Sequence, residues 1–186
     1  MNDAIDRAEI ERRATELLHQ AAAYDVPVDL TKVARHLHVS VHYDPLEDKV
    51  SGVLVIKGGE RHALINGTHH SNRQRFSLAH EVGHLALHDS KEDRLFIDTN
   101  MRVYQRVGAS TDAAYSQSDS ATKPHEEREA NQFASSLLMP EDLIRRESMN
   151  LDLADEYDVA HLARRFGVSD QAMSIRLQQL DLITGI

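Results

Sequence analysis

The sequence predicts an α+β fold, in which a small antiparallel or mixed sheet packs on one histidine-bearing helix and a C-terminal helical module follows. Three stretches of the 186 residues support this prediction. Residues 51–66 carry two apolar runs around a glycine pair, which is typical of a β-hairpin. Residues 71–88 contain no proline and one glycine, which favours a continuous helix. Residues 158–183 have the pattern of a helix, a short turn and a second helix, as in a helix-turn-helix.

Two helices and a strand are predicted before the hairpin. Residues 3–24 show the apolar spacing of an amphipathic helix. Pro27 marks the break after it, because the residue before a proline is pushed out of the helical conformation. Residues 28–44 then predict a short helix through Val33 and Leu37. A strand follows, with the alternating apolar residues Val39, Val41 and Tyr43.

The hairpin leads directly into the histidine-bearing helix. Its two apolar runs are Val53–Ile56 and Ala63–Ile65, and the turn lies at the glycine pair between them. Ser71 stands three residues before Gln74, which is the spacing of a capping box. The pattern therefore predicts that the helix begins at this serine and that the two side chains cap it.

The rest of the chain divides into a loop and further helices. Residues 107–124 are poor in large apolar side chains and rich in Ser, Thr and Ala, which indicates a flexible loop. A helix follows the loop and ends at Pro140, where another begins. In the tail, Ser169 is the predicted N-cap of the last helix. We therefore predict a main domain, residues 1–148, and a C-terminal module, residues 149–186.

Composition narrows the class of protein. The chain has no cysteine, so a transition metal would need histidine and carboxylate ligands. Its net charge of −9 argues against the broad basic surface that non-specific nucleic-acid binding requires. The N-terminal segment has no apolar signal core, and no apolar run approaches the length of a bilayer-spanning helix. We therefore expect a cytoplasmic protein without a membrane partner.

The segment His80-Glu81-Val82-Gly83-His84 is the strongest candidate for chemistry. On a helix, residues four apart lie on the same face, so His80 and His84 can present two imidazoles to one metal ion. Glu81 projects to the side of this pair, where it is better placed to act as a base on water than as a third ligand. A half-buried helix whose histidines bind backbone groups or water is the alternative interpretation. Gly83 costs about 1 kcal/mol against alanine in a helix, so it requires a reason of packing or access.

A catalytic zinc ion needs a third protein ligand. The helix that precedes Pro140 offers Glu127 as the first choice and Glu129 as the second. Asn131 stands one turn after Glu127, on the same face, and is predicted to hydrogen-bond one metal-bound imidazole. The alternative is that these acids form a solvated first helical turn, and for Glu126 this is the interpretation we favour.

Two motifs together make the chain resemble the ImmA/IrrE family of zinc metallopeptidases. They are "RQRFSLAHEVGHLALH" at residues 73–88 and "EREANQFASSLLMP" at residues 127–140, in the order that the family has. The lead-in "PVDLTKVARHLHVSVHYDPL", the strand "SGVLVI" and the C-terminal "VSDQAMSIRLQQLDLI" are also similar to the family. The resemblance extends from about residue 10 to the end of the chain.

The resemblance implies a zincin-like fold with a gluzincin-like site. His80, His84 and a downstream glutamate would bind one zinc ion, with Glu81 as the general base, and Glu127 occupies the position of that downstream ligand. The implied substrate is a helix-turn-helix repressor of the kind that controls prophage, mobile-element or stress genes. Mn²⁺ or Fe²⁺ in place of Zn²⁺ stays an open alternative, because a His/His/Glu set is only modestly selective.

Several interpretations stay open at this level. The hairpin could supply an edge strand to which an extended substrate adds. Tyr104, Tyr115 and His125 are candidates for stabilising an oxyanion. The C-terminal module could make the protein a DNA-binding regulator, with Arg176 and Gln178 reaching bases or phosphates, although we do not favour direct DNA binding. A catalytically inactive, antitoxin-like interaction module is the remaining alternative.

Overall fold

The computed structural model describes residues 5–88, 94–99 and 124–183, and the predicted loop at 107–124 therefore lies outside the described residues except for Pro124, which begins a helix. The elements in these ranges are, in chain order, α1 Arg7–Gln20, α2 Leu30–His36, β1 Val39–Asp44, β2 Val50–Lys57, β3 Glu60–Asn66, α3 Ser71–His88, β4 Arg94–Thr99, α4 Pro124–Leu138, α5 Glu141–Glu147, α6 Glu156–Phe166 and α7 Asp170–Gln179. Among these residues no helix is both long enough and apolar enough to cross a bilayer.

The four described strands form one mixed sheet in the order β1-β3-β2-β4. Strand β1 pairs with β3 in parallel, and β2 pairs with both β3 and β4 in antiparallel fashion. The hairpin prediction is confirmed: β2 and β3 are joined by Gly58 and Gly59, whose φ angles of +60° and +85° suit glycine. The proposal that this hairpin supplies an edge strand is wrong, because its strands occupy the middle of the sheet. The edge strands are β1 and β4, and β4 was not predicted.

One face of the sheet packs against α3, and α4 lies beside that helix. The sheet contributes the fully buried Leu54, Ala63 and Ile65 to the hydrophobic core. From α4, Phe133 and Leu137 are also fully buried and belong to the same core. This arrangement holds the middle of α3 between a sheet and a helix, so polar side chains there are removed from water.

Helix α3 begins at Ser71 as predicted, but the capping box is not formed. The N–H of Asn72 donates instead to Nδ1 of His70, 3.2 Å away. The Gln74 side-chain amide donates to the carbonyl oxygens of Gly67 at 3.0 Å and His69 at 2.7 Å. An amide can donate as well as accept, and here it holds the loop before the helix rather than the first N–H of the helix.

The C-terminal helices α6 and α7 are joined at Gly167, which has a φ of +67°, and Ser169 caps α7 by accepting from the N–H of Ala172 at 3.1 Å. Arg176 of α7 is fully buried. Its guanidinium donates to the Met139 carbonyl oxygen at 3.0 Å and to both carboxylate oxygens of Glu11. Arg176, one of the two possible DNA contacts, is therefore not exposed for such a contact. The division into residues 1–148 and 149–186, and a DNA-reading role for the module, stay predictions.

Candidate metal centre

Helix α3 carries two histidines into the protein interior. His80 and His84 lie one turn apart, and each exposes 1% of its surface. Their Nε2 atoms are 3.0 Å from each other, and the two rings meet edge to face with centroids 4.7 Å apart. The spacing of four residues and the helical conformation therefore direct two ring nitrogens to the same point.

Helix α4 brings a carboxylate to that point. Glu127 Oε2 lies 3.3 Å from His80 Nε2, and Glu127 Oε1 lies 3.4 Å from His84 Nε2. Candidate ligand atoms of the three residues all lie within 4.8 Å of one another. Glu127 stands near the beginning of α4, where a negative charge is also favoured by the helix dipole.

The donor set and its spacing fit a tetrahedral metal ion. Two ligand atoms at 2.0–2.1 Å from a tetrahedral zinc ion are about 3.3 Å apart. The three contacts between the residues, at 3.0, 3.3 and 3.4 Å, are close to that separation. Two imidazoles and one carboxylate are also the ligand types that bind zinc without cysteine. The residues present therefore fit the metal.

The protonation states are those of metal ligands. Burial lowers the pKa of His84 to about 4, with the nearby His80 acting in the same direction and Glu127 opposing them. Burial alone would raise the pKa of Glu127, but hydrogen bonds and charge interactions with His80 and His84 hold it well below its usual range. Near neutral pH the site thus offers a neutral imidazole and an ionised carboxylate, the forms that bind a cation.

Each imidazole is oriented in a different way. His80 Nδ1 lies 2.9 Å from the Asn131 Oδ1 atom, so this nitrogen carries the proton and Nε2 keeps its lone pair. The structure thus places Asn131 at hydrogen-bonding distance from the His80 ring, and its effect on metal binding stays a prediction. The His84 ring stacks on Phe96 of β4, with centroids 4.7 Å apart and an interplanar angle of 25°. Its Nδ1 atom is buried and has no hydrogen-bond partner among the described residues.

A close contact between helix backbones brings Glu127 within reach of the histidines. A Cβ atom added at Gly83 would lie 2.9 Å from the Ala130 carbonyl oxygen and 3.0 Å from its Cα. Separations this short mean that a side chain at residue 83 would force one of the two helices to shift. Gly83 is therefore explained by packing: its missing side chain lets α4 approach α3 directly before His84, and the contacting Ala130 lies about one turn after Glu127.

Glu81 directly follows His80 in α3 and is buried, with 1% of its surface exposed. Its Oε1 atom would be 2.7 Å from a Cβ added at Gly52 on β2. A glycine in that strand therefore makes room for the carboxylate. The three-residue cluster does not include Glu81, and its role as the general base stays a prediction.

The remaining sequence candidates lie elsewhere. Glu129, the alternative ligand, is buried, and its carboxylate accepts from the Ile5 N–H at 2.7 Å and lies 3.4 Å from His88 Nε2. Glu126 was predicted to be solvated, but this is wrong: it exposes only 8% of its surface, and its backbone carbonyl oxygen lies 3.3 Å from His88 Nε2. Tyr104 and Tyr115 lie outside the described residues, and an oxyanion role for His125 stays a prediction.

Two residues of the site were missed from the sequence. Phe96, which orients His84, lies on β4, where the apolar residues of "RLFIDT" were a signal for a strand. Gly52, which accommodates Glu81, had no local signal, because a strand glycine is interpretable only when its neighbour across the fold is known.

The family model described as Peptidase_M78, IrrE N-terminal-like domain, matches residues 34–178. The chain belongs to this family. The match includes α3 and α4, so both helices that form the candidate centre fall within it. Family membership and the mixed sheet packed on α3 confirm the predicted resemblance and the zincin-like α+β fold. No curated protein sequence matches the chain.

Proposed function

We propose that the protein is a zinc-dependent endopeptidase that hydrolyses a peptide bond in a specific protein substrate. One observation carries this proposal: His80, His84 and Glu127 converge in the interior at the spacing of metal ligands. Membership in a metallopeptidase family supports the reaction class. Mn²⁺ or Fe²⁺ would fit the same residues, and Zn²⁺ is preferred because three ligands and an open position are its usual catalytic arrangement.

Metal binding, ring positioning and proton transfer are assigned to different residues of the site. When bound, zinc would polarise the scissile carbonyl and make an attacking water more acidic. His80, His84 and Glu127 hold the ion, and Asn131 fixes the tautomer and orientation of the His80 ring. Glu81 accepts the proton of the attacking water and then donates it to the amine nitrogen of the leaving product. The burial of Glu81 keeps competing bulk water away from this proton transfer.

Strand β4 is the place where we expect an extended substrate to align. It lies at the edge of the described sheet, and its Phe96 contacts His84 directly. A peptide that added to β4 by backbone hydrogen bonds would therefore pass beside the metal ligands. If a bound substrate peptide leaves the hydrogen exchange of β4 unchanged while it protects other segments, this placement is wrong.

The substrate that we propose is a helix-turn-helix transcriptional repressor of a prophage, mobile element or stress response. The resemblance to the ImmA/IrrE pattern over most of the chain supports this choice. Such a substrate would require the protein to act in the cytoplasm. The zinc-loaded protein should cleave a helix-turn-helix repressor of its own organism, and mass spectrometry should place the cut at a single site.

Glu81→Gln is the matched control for catalysis. It removes the base and keeps the size of the side chain, so zinc content should be unchanged while cleavage falls at least about 100-fold. The peptidase proposal fails if no repressor and no proteome-derived peptide library is cleaved by the zinc-loaded protein. It also fails if Glu81→Gln cleaves as fast as the wild type.

The other two functions stay alternatives with less support. If the protein were a DNA-binding regulator, the wild type and Glu81→Gln would shift an operator fragment equally in a gel. The burial of Arg176 removes one of the possible DNA contacts. An inactive, antitoxin-like interaction module has no chemical reason to keep a general base beside three ligands. That interpretation would gain support if the wild type bound a repressor tightly without cutting it.

A further inference from the structure

Two histidines also meet on the opposite face of the sheet. Val41 of β1 is in register with Ala63 of β3, and Ala63 is fully buried, so His42 and His62 lie on the other face. The His42 Nε2 atom is 3.4 Å from the His62 Nδ1 atom. The two rings are nearly parallel, at 23°, with centroids 5.7 Å apart.

This separation suits two ligands of one ion better than a hydrogen bond between the rings. Ligand atoms on a tetrahedral zinc ion are about 3.3 Å apart, whereas hydrogen bonds to nitrogen donors are commonly about 2.9–3.0 Å. Glu60 Oε2 lies 3.5 Å from the other nitrogen of the His62 ring, Nε2. A carboxylate there favours the proton on Nε2, which leaves the lone pair on Nδ1, facing His42.

We propose that His42 and His62 form a second, solvent-exposed site for a borderline transition-metal ion such as Zn²⁺, Cu²⁺ or Ni²⁺. Glu60 is a positioning residue in this site, since it acts on the tautomer of His62. The site is independent of the α3 and α4 centre and does not rest on the proposed peptidase function.

The second site should be weaker than the first. It offers two protein ligands, so water completes the coordination, and 42% of the His62 side chain is exposed. Lys57 lies in register with Glu60 on the neighbouring strand, and its positive charge opposes cation binding. In calorimetric titrations with Zn²⁺ alone, we therefore expect a tight first equivalent and a weaker second one.

The test is the stoichiometry of Zn²⁺ binding to the metal-free protein and its variants. The double variant His42→Ala/His62→Ala should lose the second equivalent and keep the first. Glu127→Ala should weaken binding of the first Zn²⁺ equivalent and leave binding of the second unchanged. Glu60→Gln should weaken the second equivalent about 10–100-fold, in the range found for residues that support a metal ligand. His161→Ala, which removes an exposed histidine of α6, should change neither equivalent.

A second readout identifies the ligands directly. With Cu²⁺ as the probe and the first site removed by Glu127→Ala, electron paramagnetic resonance should show nitrogen coordination that disappears in His42→Ala/His62→Ala. The proposal is overturned if the wild type takes up one equivalent only, or if the double histidine variant retains the second equivalent and its nitrogen signal.

Discussion

The α3–α4 contact and the α7–α1 contact both bury charged or polar side chains, but they differ in how these side chains are satisfied. In the α7–α1 contact, Arg176 is fully enclosed and its donors meet a carboxylate and a carbonyl oxygen. In the α3–α4 contact, two imidazole nitrogens face each other and a carboxylate. The first is a pairing of donors with acceptors, whereas the second brings three groups that can each act as a metal ligand to one point.

This difference separates a structural site from a candidate metal site. Buried polar groups are expected to pair with opposite partners, and the Arg176 contact meets that rule without any further component. Two imidazole nitrogens and a carboxylate that meet away from water are favourable only when a shared proton or a metal cation joins them. The number of buried polar residues is therefore less informative than the kinds of atom that face one another.

The largest effect should come from breaking the α7–α1 pair. Glu11→Ala leaves the Arg176 guanidinium buried with its charge unpaired, so the free energy of unfolding should fall by about 3–5 kcal/mol. Urea unfolding of the metal-free wild type and variant measures this change in the free energy of unfolding. Glu16→Ala, on the same helix in an exposed pair with Arg12, is the control and should have little effect. Equal stability of the two variants would contradict a structural role for the α7–α1 pair. Loss of metal binding in folded Glu11→Ala would also contradict the distinction between the two contacts.

In the metal-free protein, lowering the pH should reduce the free energy of unfolding by up to about 3 kcal/mol. Burial holds the pKa of His84 near 4, against 6.5 in the unfolded chain. Between these values the unfolded chain binds a proton that the folded protein does not, so stability is present above pH 6.5 and is lost as the pH falls towards 4. His84→Gln should flatten this part of the curve of unfolding free energy against pH. An unchanged slope in the variant would contradict the assignment.

Removing the partner of His80 should have a smaller effect. Asn131→Leu keeps the volume but removes the acceptor 2.9 Å from Nδ1, so the affinity for Zn²⁺ should fall about 10–100-fold. Competition with a chromophoric chelator measures the affinity. Gln132→Leu changes the next residue of α4, which hydrogen-bonds Ser136, and serves as the control. Equal affinities in the two variants would show that Asn131 does not position the ring.

The smallest effect is expected at the glycine between the helices. Gly83→Ala introduces a Cβ 2.9 Å from the Ala130 carbonyl oxygen, so α4 must shift and Zn²⁺ affinity should fall about tenfold. Intrinsic helix propensity alone would make alanine more stabilising by about 1 kcal/mol. The sign of the stability change therefore distinguishes the two effects. Higher stability with unchanged affinity would show that the close contact does not position Glu127.

The sequence predicted features that depend on local spacing. The hairpin, the start of α3 and the placement of His80 and His84 on one helix face all follow from residues close together in the chain. The sequence could not decide as firmly whether Glu127 or Glu129 is the third metal ligand. The two residues point to different sides of α4, and contacts that are distant in the sequence determine which side of that helix faces the histidines. Arg176 was misjudged for a similar reason: its partner Glu11 is 165 residues away.

The most direct test of the central claim compares the zinc content of two matched variants. Glu127→Gln and Glu129→Gln each remove one negative charge from α4 with almost no change in size. After dialysis against metal-free buffer to empty weak sites, elemental mass spectrometry should find about one zinc per chain in the wild type and Glu129→Gln, and much less in Glu127→Gln. Equal zinc in the two variants, or none in the wild type after zinc is supplied, would contradict the three-ligand centre.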